Sequence, residues 1–305
     1  MRSCSLSSHL SLSLCTVTDI YMGKVGDMPV TPFCERSQFD ALKNEFLVRE
    51  GDVWLVTYLK SGTTLTQEIF KFFLGLGVND NPLAASPWLE VSARVPMIGL
   101  PIAVANTIPS TNGHRFWKSH WLPRDHLAPN GGKSKFVYVA RNGLDVVVSF
   151  YHHIRGFPLY EYTGDLSDFF DKFMDDGKTL DFGSWWEHVA AWWRRRNDAD
   201  VLFLHFEDLV KEPRANVVKL AQFCGVALTD ARIDEIVHET SFAQMKTRPL
   251  FYDLVRAPDA APFLRNGKSG EGKVALSADQ VRRFEEKCKA FFVGDLADFP
   301  WQRSN

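Results

Sequence analysis

Short apolar runs alternate along this chain with longer stretches whose apolar residues return every three or four positions. The runs lie at 53–56, 115–120, 135–141 and 201–206, and the periodic stretches at 65–76, 144–153, 185–196, 213–224, 230–238 and 278–292. The first pattern predicts strands and the second helices. Residues 135–141 are apolar through their centre, as a strand covered on both faces requires. Strands followed by helices predict an α/β protein with a central parallel sheet flanked by helices. Ligands of such sheets bind beyond the carboxyl ends of the strands.

Residues 37–50 read as a surface helix and turn leading into the first strand, and 122–132 as a Pro/Asn/Gly-rich connection. No internal repeat or long linker interrupts the pattern. The expected organisation is an N-terminal tail over 1–36, disordered or a weak targeting segment, followed by a single domain over 37–305. The balance of 35 basic and 37 acidic residues gives no reason to expect nucleic-acid or membrane-surface binding. Arg194-Arg195-Arg196 reads as a solvated helix face. Trp185, Trp186, Trp192 and Trp193 follow helical spacing and read as core. Cys4, Cys15, Cys34, Cys224 and Cys288 are odd in number, scattered and free of C-x-x-C pairing. That pattern argues against zinc or a disulfide framework and for a reducing, cytoplasmic compartment. No apolar stretch approaches the roughly 20 residues that span a bilayer.

The chemistry sits where strands end. Thr57-Tyr58-Leu59-Lys60-Ser61-Gly62-Thr63-Thr64 joins the first strand to a helix. Unpaired N–H groups at a helix start, with hydroxyls and an ammonium beside them, suit a phosphate or sulfate. The lysine precedes the glycine, so this is not the Gly-x-x-x-x-Gly-Lys-Ser/Thr loop of ATP-binding proteins. Arg141 ends the third strand with Ser149 following on its helix, and Arg265 lies in a glycine-rich loop at 263–270. Arginine's planar fork matches phosphate oxygens. Two separate anion pockets imply a ligand with two phosphate-like groups.

Taken together, these segments resemble the cytosolic-type sulfotransferases, which move a sulfuryl group from 3′-phosphoadenosine 5′-phosphosulfate (PAPS) to a hydroxyl or amine. Residues 58–64 are similar to that family's Tyr-Pro-Lys-Ser-Gly-Thr-Thr-Trp loop, 138–152 to its 3′-phosphate segment, and 265–271 to its Arg-Lys-Gly-x-x-Gly-Asp loop. Lys118-Ser119-His120, Gly183 to Val189, Glu207-Asp208-Leu209 and Thr240-Ser241-Phe242 are further matches, in family order. The resemblance implies a P-loop-like sulfotransferase fold. It makes His120 the general base, with Lys60 and Lys118 stabilising the transferring group. Ser61, Gly62, Thr63 and Thr64 would hold the 5′-phosphate. Arg141, Ser149, Arg265, Asn266 and Gly267 would hold the 3′-phosphate. Leu65, Phe206, Thr240, Ser241 and Phe242 would meet the nucleoside. Phe116, Tyr151 and His152 are the expected acceptor contacts, and no metal is expected.

Several positions depart from the family's pattern. Leu59 stands for its Pro, Leu65 for its Trp, Phe206 for its Tyr, Asn266 for its Lys and Gly272 for its Trp. Weaker nucleotide binding is the expected consequence. The family's dimer motif is not matched after Lys273, leaving monomer or homodimer open. A small-molecule acceptor is the expected partner. Two rival readings are a nucleotide phosphotransferase (kinase) and a non-catalytic binder of PAPS or its product 3′-phosphoadenosine 5′-phosphate (PAP).

Overall fold

The computed structural model describes residues 23–25, 28–95, 98–125, 134–176, 179–248 and 251–303. Strands β1 (Gly23–Val25) and β2 (Met28–Val30) form an antiparallel hairpin. Helix α1 spans Arg36–Glu45, β3 Asp52–Thr57 and helix α2 Thr63–Phe73. Strands β4 (Arg115–Ser119), β5 (Lys135–Ala140) and β6 (Val201–His205) complete a parallel sheet of order β4-β3-β5-β6. Each predicted strand lies within one residue of its expected bounds, because a run buried on both faces carries its signal in every residue.

The pleat sorts the sheet's side chains between two cores. Trp54, Val56, Trp117, Phe136 and Tyr138 face the helices Gly143–Gly156 and Trp185–Trp193. Val53, Leu55, Phe116, Val137 and Val139 face α2 and the helices Pro213–Cys224 and Asp230–Glu239. Trp185, Trp186 and Trp192 are buried in the first core, as their spacing predicts. Asp52 and Arg115 close the amino edge of the β3–β4 pair with a buried fork, Arg115 Nε and Nη2 each donating over 2.7 Å. That fork fixes the register in which Asp52 pairs with Arg115. The Arg194-Arg195-Arg196 cluster is solvated and paired with Asp295, Asp198, Asp200 and Asp298.

The boundary expected at residue 36 is corrected. Val30 and Cys34 are buried in the first core, and Cys34 bridges to Val91. Polar positions around these apolar residues hid an edge that packs. The possible targeting segment over 1–16 lies outside the described residues, as does most of the 122–132 connection. Among the described residues no helix is long and apolar enough to cross a membrane.

Candidate active site

Four strands deliver their following residues to one edge: Lys60 after β3, His120 after β4, Arg141 after β5 and Phe206 after β6. A cavity of about 730 Å³ opens there. Lys60, Gly62, Thr63, Thr64, Leu65, Lys118, His120, Arg141, Ser149, His152, Phe206, Thr240, Ser241, Phe242, Arg265, Asn266 and Gly267 all line it.

Backbone shape makes the lysine turn. Lys60 has φ 66° and Gly62 φ 105°, so two left-handed residues turn the chain between β3 and α2. Gly62 has a second reason to be glycine: a Cβ there would lie 2.8 Å from the Phe206 ring. No side chain caps the start of α2 and no acidic residue sits in its first turn. Its N–H donors and positive dipole end therefore remain for an anion.

Arg141 ties the distant turns together. Its Nη1 donates to the Lys60 carbonyl over 3.0 Å and its Nη2 to the Lys268 carbonyl over 3.2 Å. Its guanidinium also lies 4.5 Å over the Phe206 ring. The glycine-rich loop is held from below, Gly270 N and Gly272 N donating to Asp145 over 2.9 and 2.8 Å. Gly267, with φ 62°, packs where any Cβ would collide with Phe242. Arg265 is paired with Glu271 in the same loop.

His120 is oriented by the backbone. Its Nδ1 donates to the Thr57 carbonyl over 2.8 Å, which leaves the lone pair of the neutral ring on Nε2. The His120 carbonyl accepts from His188 Nε2 over 3.0 Å, and the Tyr138 hydroxyl donates to His188 Nδ1 over 2.9 Å. Burial and the charge of Lys118 hold His120 well below the usual histidine range, so the ring stays neutral. Segment 86–91 runs beside β4, bridging Trp88 to Lys118. It brings Glu90 beneath the strand end, where one carboxylate oxygen accepts from Ser119 Oγ over 2.6 Å and His120 N over 3.1 Å. Burial lowers Lys118, whose ammonium lies 3.8 Å over the Trp88 ring, and raises Glu90.

Lys60 stands between two regions of the cavity. Its carbonyl is held by Arg141, while its ammonium reaches His153 Nδ1 at 3.5 Å and lies 4.1 Å over the Phe263 ring. Burial, then the charges of Arg256, Arg141, Lys118 and Arg265, depress its pKa. Such a crowd of buried and half-buried cations favours a polyanion among them. The residues fit a nucleotide bearing two phosphates by a second observation: Arg141, which lines the cavity, has its Nε buried without a hydrogen-bond partner. Apolar side chains, Leu65, Phe206, Leu209, Val237 and Met245, line the region beyond Arg141 and suit a nucleobase. Among the described residues no group of three or more His, Cys, Asp or Glu could hold a metal ion.

Not every expected residue reaches the cavity. Phe116 is corrected: it packs in the second core, 4.4 Å from the Phe70 ring, and does not line the cavity. Four residues before His120, it sits roughly 13 Å back from the sheet edge at about 3.3 Å per residue. Tyr151 also lies outside the lining, stacking its edge on His152 at 5.1 Å. Ser61 is buried behind the turn. The Thr240 and Ser241 hydroxyls bond within their own helices, to Ile236 O and from Gln244 N. Sequence reading passed over the rings of Phe33, Phe157 and Tyr160, and the guanidinium of Arg256, all of which line the cavity. Ser149 and His153 stand four apart on one helix face, a spacing that could have pointed to His153.

Residues 50–299 match the family model of the sulfotransferase domain, and the chain belongs to that family of enzymes, which transfer sulfo groups. Among its relatives, mouse (Mus musculus) sulfotransferase 1B1 is 32% identical over 84% of this chain and 87% of its own length. Bovine (Bos taurus) sulfotransferase 1E1 is 34% identical over 88% and 93%. The fold is shared with a retinol dehydratase solved with androsterone and the inactive cofactor PAP. That similarity has TM-score 0.76 and 22% identity, over 92% of this chain and 91% of that one. Mouse sulfotransferase SULT7A1 complexed with PAP gives TM-score 0.73 and 23% identity, over 89% and 94%. The expected P-loop-like sulfotransferase architecture is the one observed.

Proposed function

We propose that this chain moves a sulfuryl group from PAPS to a hydroxyl, or an amine, of a small and largely apolar acceptor, with His120 as general base. The observation that carries the reading is the His120 ring. It is kept neutral and its free nitrogen belongs to a cavity that also contains Lys60 and Lys118. When bound, PAPS supplies the activated sulfuryl group. His120 Nε2 takes the acceptor's proton as the acceptor oxygen becomes the nucleophile. Lys60 and Lys118 oppose negative charge developing around the transferring group. Gly62, Thr63 and Thr64 bind the 5′-phosphate with the start of α2, and Arg141, Ser149, Arg265, Asn266 and Gly267 bind the 3′-phosphate. Leu65, Phe206, Thr240, Ser241 and Phe242 contact the nucleoside, and His152 the acceptor.

Two solved neighbours are complexes with PAP, and one relative is a rabbit (Oryctolagus cuniculus) amine sulfotransferase, 32% identical over 84% of each chain. Both support the donor and the breadth of acceptor class. Cys34, Cys224 and Cys288 are buried free thiols, in keeping with a cytoplasmic enzyme. A labelled-PAPS assay against alcohols, phenols, steroids and amines tests the reading. The expected result is label transfer to at least one class, with PAP binding measured by calorimetry. Binding of PAP without transfer to any class would favour the non-catalytic alternative. Transfer from ATP that stops with a chelator would favour a kinase.

A further inference from the structure

The cavity's charge is lopsided. Lys60, Lys118, Arg141, Arg256 and Arg265 line it together with His120, His152 and His153, and no Asp or Glu does so among the described residues. The two phosphates of the nucleotide account for Lys60, Arg141 and Arg265, and Lys118 lies at the reacting edge beside His120. Arg256 is left over. It belongs to the other region of the cavity, where its guanidinium lies 5.1 Å over the Phe157 ring. Phe157 lies 6.5 Å from the Phe33 ring and 4.6 Å from His153, which is 6.0 Å from the Tyr160 ring, and all four line the cavity.

Arg256 is held in place rather than trailing into solvent. Its Nε donates to the Ala261 carbonyl over 2.9 Å and its Nη2 to the His152 carbonyl over 3.1 Å. It rests on Gly156, where any Cβ would collide with the guanidinium. Ala257 N donates to the Gly156 carbonyl over 2.9 Å and fixes the backbone at the same spot. Among the described residues Arg256 makes no ion pair, and its Nη1 makes no hydrogen bond. Burial depresses Lys60 and His153, and the charge of Arg256 adds to the effect on both. Asp253 acts on it only from beyond ion-pair distance, and its carboxylate accepts from Phe263 N. A half-buried, oriented guanidinium with no carboxylate paired to it, beside apolar walls, is a receptor for an organic anion.

We infer that the acceptor is itself anionic: a hydroxyl-bearing molecule with an apolar body and a carboxylate that pairs with Arg256. The inference rests on the sulfotransferase reading above and narrows its acceptor class. It also predicts that a protonated amine, repelled by the surrounding cations, is a poor ligand. A charged hydrogen-bonded pair of this kind amounts to about a ten- to hundredfold difference in affinity.

The test uses the full chain saturated with PAP and phenols whose para arm, of two to six carbons, ends in a carboxylate, its methyl ester or an ammonium. Calorimetry gives each dissociation constant. At the best arm length the carboxylate should bind at least tenfold more tightly than its ester, and the ammonium least of all. In Arg256→Met the carboxylate-to-ester ratio should fall towards one, and Arg256→Lys should restore part of it. Taking the ratio within each variant cancels any general loosening of the site. A ratio near one at every arm length, or one that survives Arg256→Met, overturns the inference. So does a loss of PAP affinity in Arg256→Met as large as the loss for the carboxylate, since the guanidinium would then serve the nucleotide. Sulfuryl transfer is measured separately. Absence of transfer to every phenol would count against the catalytic reading, while the binding ratio would still decide the acceptor's charge.

Discussion

The two regions of the cavity on either side of Lys60 are built by different rules. The proposed nucleotide side is made of chain turns whose shape the local sequence dictates: left-handed Lys60 and Gly62, the start of α2, and Gly267 and Gly270 in the loop clamped to Asp145. The proposed acceptor side is made of single side chains from segments that share no motif, Phe33, Trp88, Phe157, Tyr160 and Arg256. A phosphate presents the same oxygens in every nucleotide, so backbone donors and fixed cations suffice for it. An acceptor differs from one enzyme to another, and side chains on irregular segments can change without disturbing the sheet.

His120→Ala is the sharpest way to divide the two sides. It should cut kcat by roughly two to four orders of magnitude, the usual worth of a general base, while PAP affinity stays within a few fold. Comparable turnover in the variant would remove His120 from its role. Arg141→Ala should do the reverse, weakening PAP by about a hundredfold or more through loss of charged hydrogen bonds. The lysine turn and the glycine-rich loop would also lose their common partner, so calorimetry with PAP should show the loss even where acceptor binding persists. Unchanged PAP affinity would mean that the three turns do not act as one site.

The smallest expected effect is on stability. His188 props the His120 carbonyl, and burial drives its pKa down from 6.5 to about 4. The unfolded chain therefore takes up a proton at His188 before the native one does. This contribution to stability is present above pH 6.5 and is lost as the pH falls towards 4. Between pH 6.5 and 5 the loss is about 2 kcal/mol at roughly 1.4 kcal/mol per pH unit. Urea unfolding of the wild type and of His188→Asn should show their stability difference shrinking by that amount on going from pH 7 to 5. A difference independent of pH would show that His188 titrates alike in both states.

The fold was legible because its signals are local. Buried strands such as Asp52–Thr57 and Lys135–Ala140 are apolar throughout, and the helix Pro213–Cys224 begins with proline and is followed by Gly225 at φ 79°. The anion turns were legible for the same reason, since a left-handed backbone and a helix start need particular residues at particular spacings. Phe116 misled because proximity in sequence to Lys118 and His120 ignores the pleat and the length of the strand. The edge residues Val30 and Cys34 were missed because their partners lie across the fold, Cys34 pairing with Val91.

From the order of its residues alone this protein was bound to form a parallel sheet and to place turns with the shape and charge of anion sites at its strand ends, because hydrogen bonding and apolar periodicity act over a few residues at a time. The tertiary structure alone decided the rest. It determined that one guanidinium, Arg141, joins the lysine turn, 81 residues before it, to the glycine-rich loop, 127 residues after it, by donating to Lys60 O and Lys268 O. It also determined that Gly156 makes room for Arg256 beside His153 and Phe157. Such contacts depend on how whole helices and loops pack in space, and no short window of sequence contains both partners.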